Sequence, residues 1–389
     1  MSTRALRVCY FGTYRPNYSR NQILIEGLRR NGVEVIECHE TLWHGIEDRV
    51  QTAGGGWLSP RFWLRVLRAY ARLVRRFFQL EAFDVLVAGY PGQLDVYLAR
   101  LLSWIKGRPL VWDVFMSIYL VALERGLGQK TQPLKSRVSL ALLRRLEWLA
   151  LRLPERLIQD TGQYVAWFQQ VHGLSPERFR LVPTGADDRV FRPLPPPSQE
   201  GPFRAVYYGT FIPNHGVKYI VQAAALLGKD ADICIELIGD GPERAEAERL
   251  AQELDLENLV FTGWLDKAAL AGHVAQAHVC LGAFGHTPQS LMTVQNKVYE
   301  GLAMARPVVT GDSPAVRQEL VHGEHVYLCD RDEPASLAEA LRTLKGDPGL
   351  RARLSTNGYA LFYSRFNLQH LGATYANHLL RIANHKGTI

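Results

Sequence analysis

The sequence predicts an α/β protein with two doubly wound parallel sheets. Short β-rich runs alternate with helix-length segments along most of its 389 residues. Three successive runs in the second half end in glycine just before a helix, which leaves backbone amides open at the carboxyl edge of a parallel sheet. A proline-dense stretch, Pro193-Leu194-Pro195-Pro196-Pro197, breaks the alternation near its middle. The length suits two domains of about 150–200 residues, and the expected division is 1–185 and 186–365.

The first half opens with a strand, Ala5 to Phe11, and Gly12-Thr13. A helix is expected over about 20–31, ending near Asn31-Gly32, and then a strand over Val33 to Cys38. This βαβ spacing implies a right-handed parallel crossover. Further strands are expected at 84–88, 109–113 and 156–159. Val182-Pro183-Thr184-Gly185-Ala186-Asp187, with the prolines beyond Phe191, reads as a hinge and stiff extended linker. The alternation restarts with strands at 203–208, 233–238 and 259–262, running into Gly209, Gly239 and Gly263. Helices are expected over about 216–228 and 243–254. Two such sheets facing across a proline hinge would form a cleft, the usual place for a ligand.

Composition narrows the class. The hydrophobic fraction, 47%, is ordinary for a soluble globular chain. No apolar run approaches the ~20 residues of a membrane span. Met1 to Arg7 leads straight into a strand and lacks the apolar segment and cleavage site of a signal peptide. Cys9, Cys38, Cys234, Cys280 and Cys329 are scattered, without a C-x-x-C pair, and read as buried thiols in a reducing compartment. A cytoplasmic protein without a bound metal is expected. Residues 1–199 hold 28 Lys and Arg against 17 Asp and Glu, about +11; the remainder holds 17 against 21, about −4. That asymmetry points the first half alone towards an anionic partner.

Asn296 to Thr310 reads as a short helix and a strand. Lys297, Glu300 and Met304 share one helix face, Arg306-Pro307 ends the helix, and Val308-Val309-Thr310 is β-rich. A cation and a carboxylate at the start of a helix on a sheet's carboxyl edge suit an anionic ligand that also carries hydroxyls. A surface helix with an i,i+3 ion pair fits the same pattern. Arg61, Arg65, Arg68, Arg72, Arg75 and Arg76 fall at helical spacing among Phe62, Trp63, Leu64, Val66, Leu67, Tyr70, Leu73 and Val74. Such a basic amphipathic helix suits an anionic membrane surface, or serves as an outer helix with solvated arginines; Leu142 to Arg152 has the same character. Nucleic acid is not expected, because no recognisable module supplies an aromatic stacking platform.

Several motifs in order carry a resemblance. They are Val182-Pro183-x-Gly185-x-Asp187 with Phe191, Tyr208-Gly209-Thr210-Phe211-Ile212-Pro213-Asn214-His215-Gly216, Ile238-Gly239-Asp240-Gly241-Pro242, Val260-Phe261-Thr262-Gly263-Trp264 and Asn296-Lys297-Val298-Tyr299-Glu300-Gly301. Together they resemble a retaining GT-B glycosyltransferase of glycosyltransferase family 4, most strongly over about 180–330. The resemblance implies two Rossmann-like domains facing across a cleft and a C-terminal helix, about 366–385 here, that packs back onto the first. It also implies a nucleotide-sugar donor held by the second domain, a glycan or lipid-linked acceptor on the first, and no metal or other cofactor.

By that resemblance Gly209, Thr210, Phe211, His215, Gly239, Gly241, Gly263, Trp264, Thr287, Gln289, Asn296, Lys297 and Glu300 would hold the donor. Gly12, Thr13, Arg15 and Arg20 would lie on the acceptor side, and Lys297, Asp113 and His286 would serve catalysis. The loop 283–295 would lie where the donor sugar sits, or be a plain connection; Asp113 would face the cleft or cap the next helix. The chain departs from the family in three places. Thr210 and His215 stand where many members have an Arg and a Lys that grip the diphosphate. Met292 stands where many have a carboxylate near the sugar, and Asp113 where many have a histidine. The expected activity is transfer of a hexose-type sugar with retention, at the inner face of a membrane. A GT-B-fold sugar-nucleotide epimerase and a non-catalytic sugar-binding member are the alternatives.

Overall fold

The structure is a computed structural model that describes residues 5–42, 59–127, 134–198, 200–228 and 232–384. The expectations for Met1 to Arg4 and for residue 385 lie outside these. The chain divides into two compact units, Met1–Pro183 with Leu368–Ile389, and Thr184–Asn367. The boundary falls two residues before the expected one.

The first unit runs β1 (Arg7–Gly12), α1 (Ser19–Arg30), β2 (Glu34–His39), α2 (Pro60–Gln79), β3 (Val85–Ala88), α3 (Asp95–Lys106), β4 (Leu110–Asp113), α4 (Ile118–Glu124), α5 (Leu134–Ala150), β5 (Arg156–Gln159), α6 (Gly162–His172) and β6 (Phe179–Leu181). Its six parallel strands lie in the order β2-β1-β3-β4-β5-β6. β3 and β4 are buried at every residue, as strands covered on both faces require. This is why they read as continuous apolar runs rather than alternating ones.

The second unit runs β7 (Phe203–Tyr208), α7 (Val217–Leu227), β8 (Ile233–Ile238), α8 (Arg244–Glu253), β9 (Leu259–Thr262), α9 (Lys267–Ala275), β10 (Val279–Leu281), α10 (Pro288–Met292), α11 (Asn296–Ala303), β11 (Val308–Gly311), α12 (Pro314–Glu319), β12 (Tyr327–Cys329), α13 (Pro334–Gly346) and α14 (Pro348–Arg365). Its parallel order is β12-β11-β10-β7-β8-β9. The strand order reverses between β7 and β10, which is where doubly wound sheets open a crevice. The three-residue strands β6, β10 and β12 were not expected, because so short a run carries no readable period.

α15 (Leu368–Asn384) then returns to the first unit and packs along α1. Two glycines let it approach: a Cβ at Gly372 would fall on the Gly27 backbone, and one at Gly27 would lie 2.9 Å from the Leu368 carbonyl oxygen. Leu368, Leu371, Tyr375 and Leu379 are buried there. The amides of Asn31 and Gln369 lock the start of the contact at 2.8–2.9 Å.

Two expectations about connections need correction. The proline stretch, expected as a stiff extended linker, is part of the second unit. Phe191 sits in the core of the second unit, and Arg306 donates to the carbonyls of Leu194, Pro195 and Ala275 at 2.8–3.0 Å, fastening the stretch to that unit. Nor does Asp113 cap a helix, since Ser117 caps α4 by accepting from the Leu120 amide. Asp113 and Arg20, expected as separate open groups, are bonded to each other with both side chains almost fully buried. Arg20 donates to Asp113 at 2.8–3.2 Å and to the Val182 and Pro183 carbonyls at 2.8 and 3.2 Å. One guanidinium thus ties α1, the end of β4 and the last residues of the unit's main run.

Removing one partner of such a pair strands a buried charge. Asp113→Ala should cost about 3–5 kcal/mol in urea denaturation. The double change Arg20→Met with Asp113→Leu should recover most of that loss, because neither charge is then left alone. A loss for Asp113→Ala below about 1 kcal/mol, the scale of an exposed pair, would reject this account.

Candidate functional site

Loops after β7, β8 and β10 meet at the carboxyl edge of the second sheet. Gly209 and Gly239 follow β7 and β8 with φ of +137° and +129°, a range that L side chains rarely adopt. A Cβ at Gly239 would fall on the Gly209 carbonyl oxygen, so the two turns nest only as glycines. A Cβ at Gly241 would lie 2.6 Å from the Phe211 backbone. Phe211 itself departs from expectation as a donor contact. Its ring is fully buried in the core, its amide is bonded to the Asp240 carbonyl, and its carbonyl accepts from the Glu243 amide.

Lys297, in the first turn of α11, reaches over the first of these turns. Its Nζ is 3.9 Å from the centre of the Tyr207 ring and 3.4 Å from His215 Nδ1. It would lie 3.1 Å from a Cβ at Gly209. The side chain is only 5% exposed, and burial pulls its ammonium down to about 7, with Glu300 opposing. His215 is held well below its ordinary value by burial and by Lys297, against a bond to Thr210. Its Nδ1 lies 2.6 Å from the Thr210 carbonyl, which also accepts from the Tyr207 hydroxyl at 3.1 Å. Thr210 and His215 therefore shape the turn, and Lys297 supplies its charge.

Glu300, one turn further along α11, is 8% exposed. Burial pushes its carboxyl up to about 7; the Tyr208 hydroxyl, Lys267 and Lys297 pull the other way, and Asp187 adds to the rise. Asn296 is half-buried at the helix start, and no side chain caps it. Thr287 caps α10 in a reciprocal box with Ser290, and Gln289 is buried beside it. His286 is exposed, its Nδ1 3.3 Å from Asp332. Gly263 and Trp264 follow β9 at the sheet's edge, with Trp264 57% exposed.

Two residues escaped the sequence reading. Arg331, just beyond β12, donates to the carbonyls of Asp312, Gly285 and Gly311 at 2.7, 2.8 and 3.0 Å. It fixes the loop after β10 against the end of β11, and burial lowers it to about 10. Asp160, at the end of β5 in the first unit, is 4% exposed, and its two carboxylate oxygens lack partners. Burial pushes it up to about 7 against the pull of Arg20. No motif marks either one; an isolated Arg or Asp after a strand is too common to single out.

In the first unit Gly12 and Thr13 are occupied by Asp95. The Thr13 amide and hydroxyl donate to it at 2.7 and 3.0 Å, and Tyr70 donates at 2.9 Å. Arg15 is half-buried in the following loop. On α2, Phe62, Val66, Ala69, Leu73 and Phe77 form the buried face. Arg61, Arg68 and Arg75 are exposed and Arg65 half-buried, while Arg72 and Arg76 are paired with Glu40 at 2.8 and 3.1 Å. Among the described residues no helix is long and apolar enough to cross a membrane, and no cluster of three or more His, Cys, Asp or Glu could hold a metal.

Two doubly wound parallel sheets of this order define a GT-B glycosyltransferase fold. HepE of Anabaena, solved in complex with UDP, has the same fold with a TM-score of 0.68 at 17% identity, covering 97% of this chain and 100% of that one. Residues 202–347, from β7 to α13, match the family described as Glycosyl transferases group 1. The lipopolysaccharide core biosynthesis glycosyltransferase LpsD of Rhizobium meliloti is 28% identical over 183 residues, 45% of this chain and 50% of that protein. The alpha-D-kanosaminyltransferase of Streptomyces kanamyceticus is 25% identical over 286 residues, 70% of each. The chain thus spans half the length of the first relative.

The buried pair on α11 makes stability depend on pH in opposite senses. Above about 7 the native lysine is neutral while the unfolded one stays protonated to ~10.4. The unfolded state then binds more protons, and stability rises with pH across that window. Glu300 does the reverse between an ordinary carboxyl value of ~4.3 and about 7, where stability falls as pH rises. Lys297→Met should therefore raise the thermal midpoint at pH 6, with the gain shrinking above about 7. A midpoint that drops at pH 6 would show that Lys297 is well compensated where it sits.

Proposed function

We propose that the protein is a metal-independent, retaining glycosyltransferase that moves a hexose-type sugar from a nucleotide-sugar to a lipid-linked, polysaccharide or other glycan acceptor. One observation carries the reading. The Lys297 ammonium lies over the Gly209 turn, at a sheet switch point, with Glu300 one turn further along the same helix. Thr210 and His215 bring no charge to that turn, so Lys297 takes the place of the family's basic pair. Relatives named for lipopolysaccharide core synthesis and kanosamine transfer, and HepE with its UDP, support the donor class.

In this reading the bond between the anomeric carbon and the diphosphate oxygen breaks, and negative charge grows on the leaving diphosphate. The Lys297 ammonium and the uncapped first amides of α11 meet that charge in a site largely closed to water, where such interactions are strongest. Glu300 accepts from the ribose hydroxyls before and during the reaction alike. Gly263 and Trp264 lie towards the base, and Thr287, Gln289 and His286 towards the sugar.

Incubation with a panel of nucleotide-sugars and product analysis tests the class. Transfer or slow hydrolysis supports it, an epimerised nucleotide-sugar would replace it, and binding without turnover would reduce the protein to a sugar-nucleotide binder. Glu300→Gln should weaken donor binding by about 1.5–3 kcal/mol, the range for a hydrogen bond to a charged group. Lys297→Ala should lower kcat more than affinity, because its contribution is concentrated in the transition state. The donor needs Lys297 charged and Glu300 ionised, and both groups titrate near 7. The pH profile of kcat/KM should be a bell centred there, and Glu300→Gln should remove its acid limb. Normal turnover by Lys297→Ala together with normal donor affinity in Glu300→Gln would make α11 merely structural.

A cytoplasmic enzyme held at a membrane face fits the first unit's surface. The apolar side chains Leu101, Trp104 and Ile105 on α3 and Val138, Leu142, Leu146 and Leu149 on α5 are all more than 40% exposed. The two helices touch where the Tyr97 hydroxyl donates to the Leu146 carbonyl. Arg61, Arg68 and Arg75 on α2 add exposed positive charge to the same unit, which suits anionic lipid. Co-sedimentation with anionic vesicles should weaken at high salt and on Trp104→Ser with Leu146→Ser. Binding that ignores both salt and those changes would refute the membrane placement.

A further inference from the structure

We propose that Asp332 is a positioning residue for His286, fixing its ring so that Nε2 accepts a hydroxyl of the donor's sugar. The inference rests on the donor reading above and deepens it. His286 Nδ1 lies 3.3 Å from the Asp332 carboxylate. In a neutral ring a carboxylate at Nδ1 holds the proton there and leaves Nε2 as the acceptor. Such an atom takes a hydroxyl, and the sugar is the part of a nucleotide-sugar that carries hydroxyls beside the diphosphate.

The observation behind this is the amount of support given to a side chain that buries little. His286 is exposed, so packing does not account for it, and an exposed ion pair contributes little stability. Its neighbours are nevertheless tied on both sides. The Phe284 amide donates to the His215 carbonyl, and the Phe284 carbonyl accepts from the Asp332 amide, both at 2.9 Å. The Gly285 carbonyl accepts from Arg331 and from the Ser290 hydroxyl at 2.8 and 2.6 Å. The Thr287 amide donates to the Ser290 hydroxyl at 2.9 Å.

Arg331 and Asp332 thus meet three consecutive residues, 284, 285 and 286. Asp332 does so with φ of +52°, a region that few side chains enter and that Asp and Asn tolerate best. The loop they hold belongs to the donor turn. A Cβ at Gly285 would fall on the Pro213 carbonyl oxygen, and Phe284 is bonded to His215, the residue beside the Lys297 ammonium. A backbone fixed on both sides and a carboxylate fixing the ring are what a directional ligand contact needs.

The backbone at 332 makes the test clean. Asp332→Gly removes the carboxylate and eases the turn, because glycine adopts positive φ freely; Asp332→Asn keeps an acceptor and tolerates the same φ. Nitrogen-15 spectra of the full chain with labelled histidine, assigned through His286→Phe, read the tautomer without any ligand. The Nδ1–H form should dominate in the native chain and in Asp332→Asn, and should lose that dominance in Asp332→Gly. Calorimetry then compares UDP-glucose with UDP and GDP-mannose with GDP. For the pair that binds, Asp332→Gly and His286→Phe should each weaken the nucleotide-sugar about fivefold, the scale of one hydrogen bond, and leave the nucleotide unchanged. Asp332→Asn should match the native chain. A native tautomer in Asp332→Gly, or full affinity of that variant for the nucleotide-sugar while the nucleotide binds, overturns this inference alone. If neither UDP nor GDP nor their sugars bind, the donor reading fails and takes the inference with it.

Discussion

An ammonium buried against an aromatic ring, with a carboxyl one turn along that burial pushes up to about 7, is the constraint around which the second unit is arranged. Desolvation makes that placement costly, and the neighbouring residues bear its marks. Position 209 calls for glycine by its φ of +137°, and Nζ would lie 3.1 Å from a Cβ there. His215 is held neutral, so no second cation competes for the space. Tyr207 lends the face of its ring and turns its hydroxyl to the Thr210 carbonyl. The sheet's reversal between β7 and β10 leaves room for the end of Lys297 beside these loops. A structure that merely needed a stable helix would place leucine or methionine at this position, which is the argument for a function there.

Buried arginines do the joining elsewhere. Arg306 and Arg331 donate to backbone carbonyls of separate segments, and Arg20 divides its donors between the Asp113 carboxylate and the Val182 and Pro183 carbonyls. Arg20 closes the first unit where its chain leaves for the second. Arg306 holds the proline stretch, which lacks the amide donors for a ladder of its own, and Arg331 braces the loop after β10. Each is a planar fork meeting several acceptors at once, which a lysine could not reproduce. This device explains why the proline-rich stretch belongs to the second unit rather than swinging between the two.

Much of this was legible in the sequence, and the reasons differ by element. β7, β8 and β9 were readable because each is an apolar run stopped by glycine, and the glycines also marked the nested turns. The pair Lys297 and Glu300 was readable from its i,i+3 spacing at the head of a helix. β10 was not readable, since three residues hold no period. The pairing of Arg20 with Asp113 was hidden because the two lie 93 positions apart, and a lone charged residue after a strand looks open until its partner is seen. Phe211 misled for the opposite reason: its place in a glycine loop suggested a ligand contact, while its ring fills the core.

Drawing the diphosphate's counter-charge from α11 instead of from the loop after β7 has a mechanical consequence on the proposed reading. Lys297 and Glu300 ride on one short helix that is buried at nearly every position, so the group that recognises ribose and the group that meets the leaving diphosphate cannot move independently. Placing the nucleoside then sets the position of the charge at the breaking bond, which is what orientation by binding energy requires. The buried ammonium adds a second link. Burial pulls it down to about 7, and an arriving diphosphate would favour its charged form. The catalytic charge would be completed by the donor that needs it, and the unliganded protein would hold less of a costly buried cation than a permanently charged arginine would impose.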